Sequence, residues 1–290
     1  MAQHRRTVLL AAAGALLTGC GTRRSAARPP APGPTRSAPA APSPTPEASP
    51  TPSASTPTRD QIVARYRDAR PTEWGTYVTG VTRRLPGAGE TVALTFDACG
   101  GTYGSGYDHA LISLLRRHRV PATLFLNARW IDANPRVAAE LAGDTLFELA
   151  NHGTSHRPLS VTGRAAYGIT GTADPGEAYD EVAGNTARLH RLAGATSRLF
   201  RAGTAHYDEI ATRIVADLGA YVAGFDVNAD AGATYTPRQV AAAVGTASAG
   251  SIVLAHMNRP NGGTAEGFAS ALPVLLDSGL RCVRLSERLP

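Results

Sequence analysis

The stretch LFELANHGTSH sets two histidines, His152 and His156, four residues apart where an apolar run ends, and that run reads as a buried strand. Two imidazoles so placed can grip one metal ion. Four other apolar runs also end in groups able to do chemistry: VALTFD in Asp97, RLFRA in Arg201, YVAGFDVNAD in Asp226 and Asp230, and SIVLAH in His256. A metal-bound water has a pKa near 7, a carboxylate can take its proton, and an imidazole can protonate a leaving amine, so the set suits hydrolysis of an amide. Arg201 beside Asp97 would keep that carboxylate ionised. A carboxylate on His256, from Asp230 or Asp226, would fix the imidazole's tautomer and raise its pKa. Reactive groups gathered at strand C-termini are the layout of a barrel of parallel strands.

The elements that must position these groups are legible from residue 90 onward. Strand patterns fall near 92–97, 121–126, 146–150, 198–202, 220–227, 251–256 and 281–285. Amphipathic helix patterns fall near 108–118, 134–142, 176–193, 207–218, 237–246 and 266–278. Strand, helix, strand repeated in this way means right-handed parallel units, and seven strands buried on both faces suit a closed or nearly closed barrel. Residues 59–89, with Trp74 and an Arg-rich helix pattern, read as a lead-in packed on the barrel.

The first 58 residues are of another kind. Residues 1–19 combine a basic start, the apolar stretch TVLLAAAGALL and small residues before Cys20, which is an export signal too short to span a bilayer. LLTGC resembles a bacterial lipobox, which implies a lipidated Cys20, anchorage to a membrane, and placement at the outer face of the cytoplasmic membrane in the cell envelope. Residues 20–58 are dominated by Pro, Ala, Ser and Thr and form a disordered tether by composition. Charge follows the same division: residues 1–59 hold seven Arg and one Glu, whereas residues 60–290 hold 22 basic and 22 acidic side chains. The basic pI therefore belongs to the tail and is no argument for nucleic acid as a partner. No protein partner is indicated. Cys99 and Cys282, at opposite ends of a parallel sheet, are not expected to pair.

Taken in chain order, the five motifs resemble the polysaccharide deacetylase family, the NodB-homology domain of carbohydrate esterases, across residues 90–290. In TFDACGG the opening Asp97 corresponds to the catalytic base, and NHGTSH supplies the metal-binding pair His152 and His156. FRAGTAHY supplies Arg201, which steadies the base. FDVNAD supplies Asp230 or Asp226, with the family's spacing leaning to Asp230, and in IVLAH Leu254 lines the acetyl pocket while His256 is the acid. The resemblance implies an α/β fold, a distorted seven-stranded (β/α) barrel of the NodB type, and one divalent metal ion, zinc being expected. The implied function is a hydrolase that removes N-acetyl groups from amino sugars of a cell-envelope polysaccharide such as peptidoglycan. Substrate contacts fall to Leu254, to Thr204 through a backbone N–H that meets the oxyanion, and to Tyr207.

Departures from the family pattern bear on the metal and the substrate. The family commonly has a second Asp after the base as a third ligand, and here that position is Ala98. Asp97 itself, His206, Asp208 or a water could complete the set, and Ala98→Asp is expected to tighten it. The third motif lacks the usual prolines, reading Ala202 and Gly203, and the fourth has Ala231 and Gly232 in place of its tryptophan. A long segment, PLSVTGRAAYGITGTADPG, is expected to wall the cleft and offer Tyr167 to a sugar. Two alternatives stay open: hydrolysis of another non-peptide C–N bond on the same fold, and a non-catalytic glycan-binding lipoprotein.

Overall fold

Apolar runs without alternation become strands buried on both faces, and the amphipathic stretches between them become the helices that cover the sheet. In the computed structural model, residues 56–194 and 197–289 are described; the export signal, Cys20 and the tether up to residue 55 lie outside the described residues. The chain enters through α1 (Arg59–Tyr66) and β1 (Val81–Thr82). It continues as β2 (Thr91–Ala98), α2 (His109–His118), β3 (Ala122–Leu126), α3 (Ala128–Ala133), α4 (Pro135–Ala142), β4 (Phe147–Asn151), α5 (Pro175–Ala193), β5 (Leu199–Phe200) and α6 (Glu209–Asp217). The last part is β6 (Tyr221–Ala223), β7 (Val227–Asn228), α7 (Pro237–Val244), β8 (Ile252–His256), α8 (Thr264–Asp277) and β9 (Arg281–Cys282).

All named pairings are parallel, in the order β1-β6-β5-β4-β3-β2-β8-β7, with β9 pairing the start of β2. The result is a curled α/β sheet with an open seam between β1 and β7. Among the described residues nine strands replace the seven expected, for two reasons. The lead-in contributes β1, and the run 220–227 is broken into β6 and β7 at Gly224, Phe225 and Asp226. Asp226 ties that seam: its carboxylate accepts from the Ile252 N–H at 2.7 Å, from Ser251 Oγ at 2.9 Å and from the Arg84 guanidinium. Leu85 N–H donates to Gly250 O at 2.8 Å alongside.

Phe96, Leu94, Leu111, Leu115, Phe268 and Leu272 form the layer between sheet and helices, and all are fully buried. Ala93, Phe125, Ala150, Ala223 and Ile252 fill the inside of the curl, mostly with small residues. The α1 helix packs on α5 through Ile62, Ala178 and Val182, with an exposed Arg59–Asp180 ion pair at 3.0 Å. Cys99 and Cys282 are both free. Cys282 pairs with Val92 at one end of β2 while Cys99 follows the other, so at about 3.3 Å per residue they are beyond disulfide reach. Among the described residues, no helix is long and apolar enough to cross a membrane.

Candidate active site

Parallel register brings the first two reactive groups together: Asp97 ends β2 directly opposite His256, which ends β8. Arg201, just beyond β5, is fully buried and reaches across the inside of the curl. Its guanidinium donates to Asp97 Oδ1 at 2.8 Å, Thr95 Oγ1 at 2.9 Å, and the carbonyls of Ala223 and Gly224 at 3.0 Å each. Burial favours the neutral acid, but the positive charge of the Arg201 guanidinium, the largest opposing influence, outweighs it and lowers the Asp97 pKa. On the other side, Asp230 Oδ1 lies 2.8 Å from His256 Nδ1, and its Oδ2 accepts from the His256 backbone N–H at 2.7 Å and from Thr264 Oγ1 at 2.9 Å. Burial disfavours the imidazolium, yet the Asp230 carboxylate more than offsets it and holds the His256 pKa well above its ordinary value. Asp230, not Asp226, is the partner of His256, since Asp226 is committed to the seam.

His152 and His156 are fixed by different means. His152 Nδ1 sits 2.9 Å from the Arg201 carbonyl, which takes its N–H and leaves Nε2 with its lone pair beside Asp97 Oδ2 at 3.6 Å and Cys99 Sγ at 3.7 Å. His156 has a left-handed backbone, φ 62°, unusual for a residue with a side chain. Glu181 on α5 holds that turn: its buried carboxylate accepts the N–H of Ser155 at 2.9 Å and of Arg157 at 3.2 Å. A side chain at Gly203 would collide with the His156 backbone, so only glycine allows the third motif to close on the second. The two rings lie nearly perpendicular with centroids 5.0 Å apart.

The third member of this cluster is Cys99. Its Sγ is 3.7 Å from His152 Nε2, and one donor atom from each of Cys99, His152 and His156 lies within 4.8 Å of the others. Burial raises a thiol's pKa, but the neighbouring imidazoles, His156 above all, hold that of Cys99 well below normal. A divalent ion fits these residues: His156 Nε2 is buried without a hydrogen-bond partner, and one sulfur with two nitrogens is a donor set suited to zinc.

A cavity of about 710 Å³ opens over the cluster, lined by Asp97, Cys99, His156, Thr204, Leu254 and His256 among others. Tyr103 and Tyr167 stand exposed at its rim. Several expected roles do not survive. Tyr207 is fully buried, with its hydroxyl accepting the Ala202 N–H at 2.9 Å, so it braces the third motif and does not reach substrate. Asp208 caps α6 through the Ala211 N–H at 2.7 Å and also accepts from Val161 at 2.8 Å. His206 lies at the rim, its Nδ1 2.7 Å from Thr204 O and its ring against Trp74 and Tyr167. Neither is a metal-ligand candidate here. Ala98 is fully buried beside the apolar layer and offers no ligand atom. Reasoning from sequence weighed Cys99 only as a disulfide partner and passed over Glu181; the thiol two residues past Asp97 was a visible signal, whereas Glu181 carried none.

Residues 85–223 match the family model for polysaccharide deacetylase. That stretch, a little under half of the chain, resembles a polysaccharide deacetylase domain. A 64-residue stretch is 34% identical to the uncharacterized protein YlxY of Bacillus subtilis (strain 168), covering 21% of this chain and only 20% of that protein. Among solved structures, a CE4 family pseudoenzyme from Bacillus anthracis superposes with a TM-score of 0.61 at 22% identity, covering 72% of this chain and 69% of its own. The Bc1960 peptidoglycan N-acetylglucosamine deacetylase superposes with a TM-score of 0.60 at 21% identity, covering 72% of this chain and 92% of its own. At these identities the two structures share the deacetylase domain's fold.

Proposed function

We propose that this polysaccharide deacetylase domain is an active, metal-dependent hydrolase that removes N-acetyl groups from amino sugars of a cell-envelope glycan such as peptidoglycan. The observation that carries the reading is the pairing of Asp97 with His256 on adjacent strands, each held in the charge state it needs by its own buried partner. His152 and His156 would hold the ion, beside Cys99. When bound, such an ion supplies a water acidified to near neutral pH and an electrophile for the carbonyl.

The protein's own groups perform the rest. Asp97, kept ionised by Arg201, takes a proton from the attacking water. A backbone N–H near Thr204, at the cavity wall, donates to the oxygen that gains charge as the carbonyl becomes tetrahedral. His256, kept protonated by Asp230, donates to the leaving nitrogen, so acetate and a free amine result. Leu254, nearly buried at the cavity wall, offers an apolar contact to the acetyl methyl.

We also propose that the protein is exported and held at the envelope by a lipid on Cys20, with residues 20–58 as the tether; the sequence LLTGC and the Pro-rich composition support this. The activity test is acetate release from a panel of N-acetylated glycans before and after chelation. Release that stops on chelation and returns with added zinc supports the reading. No acetate from any glycan at full metal occupancy would refute it and favour a non-catalytic, glycan-binding role.

A further inference from the structure

The function just proposed leaves the ion one protein ligand short of the three usual in a catalytic zinc site. Alternation along β2 decides where a third can come from. Asp97 faces the cavity, Ala98 turns into the apolar layer, and Cys99 faces the cavity again. Two ligands bound to one tetrahedral ion at about 2.0–2.3 Å stand roughly 3.5 Å from each other. The distance from Cys99 Sγ to His152 Nε2 is 3.7 Å. His156 Nε2, the third corner, is buried without a partner. Of the competing groups, Asp208 is engaged by the start of α6 and His206 by the carbonyl of Thr204. Asp97 gives Oδ1 to Arg201 and brings Oδ2 to 3.6 Å from His152 Nε2, but the donors that lie mutually within 4.8 Å are those of Cys99, His152 and His156.

We propose that the Cys99 sulfur is the third protein ligand, which makes this a sulfur–nitrogen–nitrogen site in place of a carboxylate-containing one. This inference rests on the metal-dependent reading above. It predicts a change in metal class, because a thiolate favours zinc or cobalt over magnesium, manganese or calcium. It also predicts that the bound ion masks the thiol from alkylating reagents.

The test is cobalt(II) titration of the metal-stripped full chain, read by absorption. The expected result is one equivalent bound with a near-ultraviolet sulfur-to-cobalt charge-transfer band. Cys99→Ser should abolish the band and weaken binding at least about tenfold, while Cys282→Ser keeps both. A second measurement needs no variant: iodoacetamide, whose iodide leaves as the sulfur–carbon bond forms, should label Cys99 in the stripped chain and in magnesium, but not in zinc. Cobalt bound without the band, or equal affinity in Cys99→Ser, overturns the assignment and leaves the metal-dependent function standing. No cobalt bound by the unmodified chain overturns both. An acetyl thioester on Cys99, recovered from metal-free protein after exposure to substrate, would make the sulfur a nucleophile and also overturn the assignment.

Discussion

Replacing Arg201 with methionine removes a fully buried charge that four hydrogen bonds hold in place, and the cost can be worked from those partners. Methionine is apolar and of similar length, so the main loss is chemical. Asp97 is left as an uncompensated buried carboxylate, and Thr95 Oγ1 and the carbonyls of Ala223 and Gly224 lose their donor. Breaking a buried pair by removing one partner costs about 3–5 kcal/mol. In a domain of this size 1 kcal/mol moves Tm by about 2–4 °C, so the expected fall is roughly 6–20 °C. Adding Asp97→Asn should restore part of the loss by removing the stranded charge, a coupling of about 1–3 kcal/mol. The pH dependence has a definite sign. In the unmodified chain the Asp97 pKa is lowered, so its stabilising share is present above the unfolded value of about 3.9 and is lost as pH falls through the lowered folded value. Without Arg201 the folded carboxyl protonates at higher pH, so the gap between the two proteins should narrow on acidification. Chemical unfolding in chelator at several pH values measures all of this. A loss under about 1 kcal/mol, or strictly additive single and double variants, would refute the role given to the pair.

Three further outcomes are expected. Asp230→Asn removes the carboxylate that raises the His256 pKa, so the alkaline limb of the activity profile should move to lower pH; an unmoved limb would mean that His256 is not the acid. Glu181→Gln should weaken zinc binding by about tenfold or more, because the amide is a poorer acceptor for the turn that carries His156; unchanged affinity by competitive chelation would remove Glu181 from that role. Tyr207→Phe should cost about 1–3 kcal/mol of stability by orphaning the Ala202 N–H while leaving KM unchanged, and a raised KM would return Tyr207 to the substrate.

The strands that position the site were legible because their apolar runs do not alternate, and Asp97, His152, Arg201 and His256 end or follow those runs. Helix patterns near 108–118 and 176–193 likewise appear as α2 and α5. What escaped was long-range. The break of the 220–227 run depends on Arg84, Ser251 and Ile252 meeting Asp226, and no local pattern announces partners so distant in sequence. Glu181 acts on a turn 26 residues away through backbone N–H groups, which leave no trace in residue type. Tyr207 was expected at the substrate and Asp208 was one candidate for the metal, yet both are buried where the 157–174 segment covers them. Cys99 was visible, but its direction was not: only the alternation of Ala98 into the core turns the thiol to the cavity.

The central claim, that Asp97 and His256 move protons beside a metal they do not hold, is tested most directly by measuring acetate release and bound zinc on the same samples of Asp97→Asn and His256→Ala. Each variant is expected to lose about 10²–10⁴-fold in turnover with zinc stoichiometry unchanged. Zinc lost along with activity in Asp97→Asn would make Asp97 a ligand, and turnover undiminished in either variant would remove that residue from the chemistry.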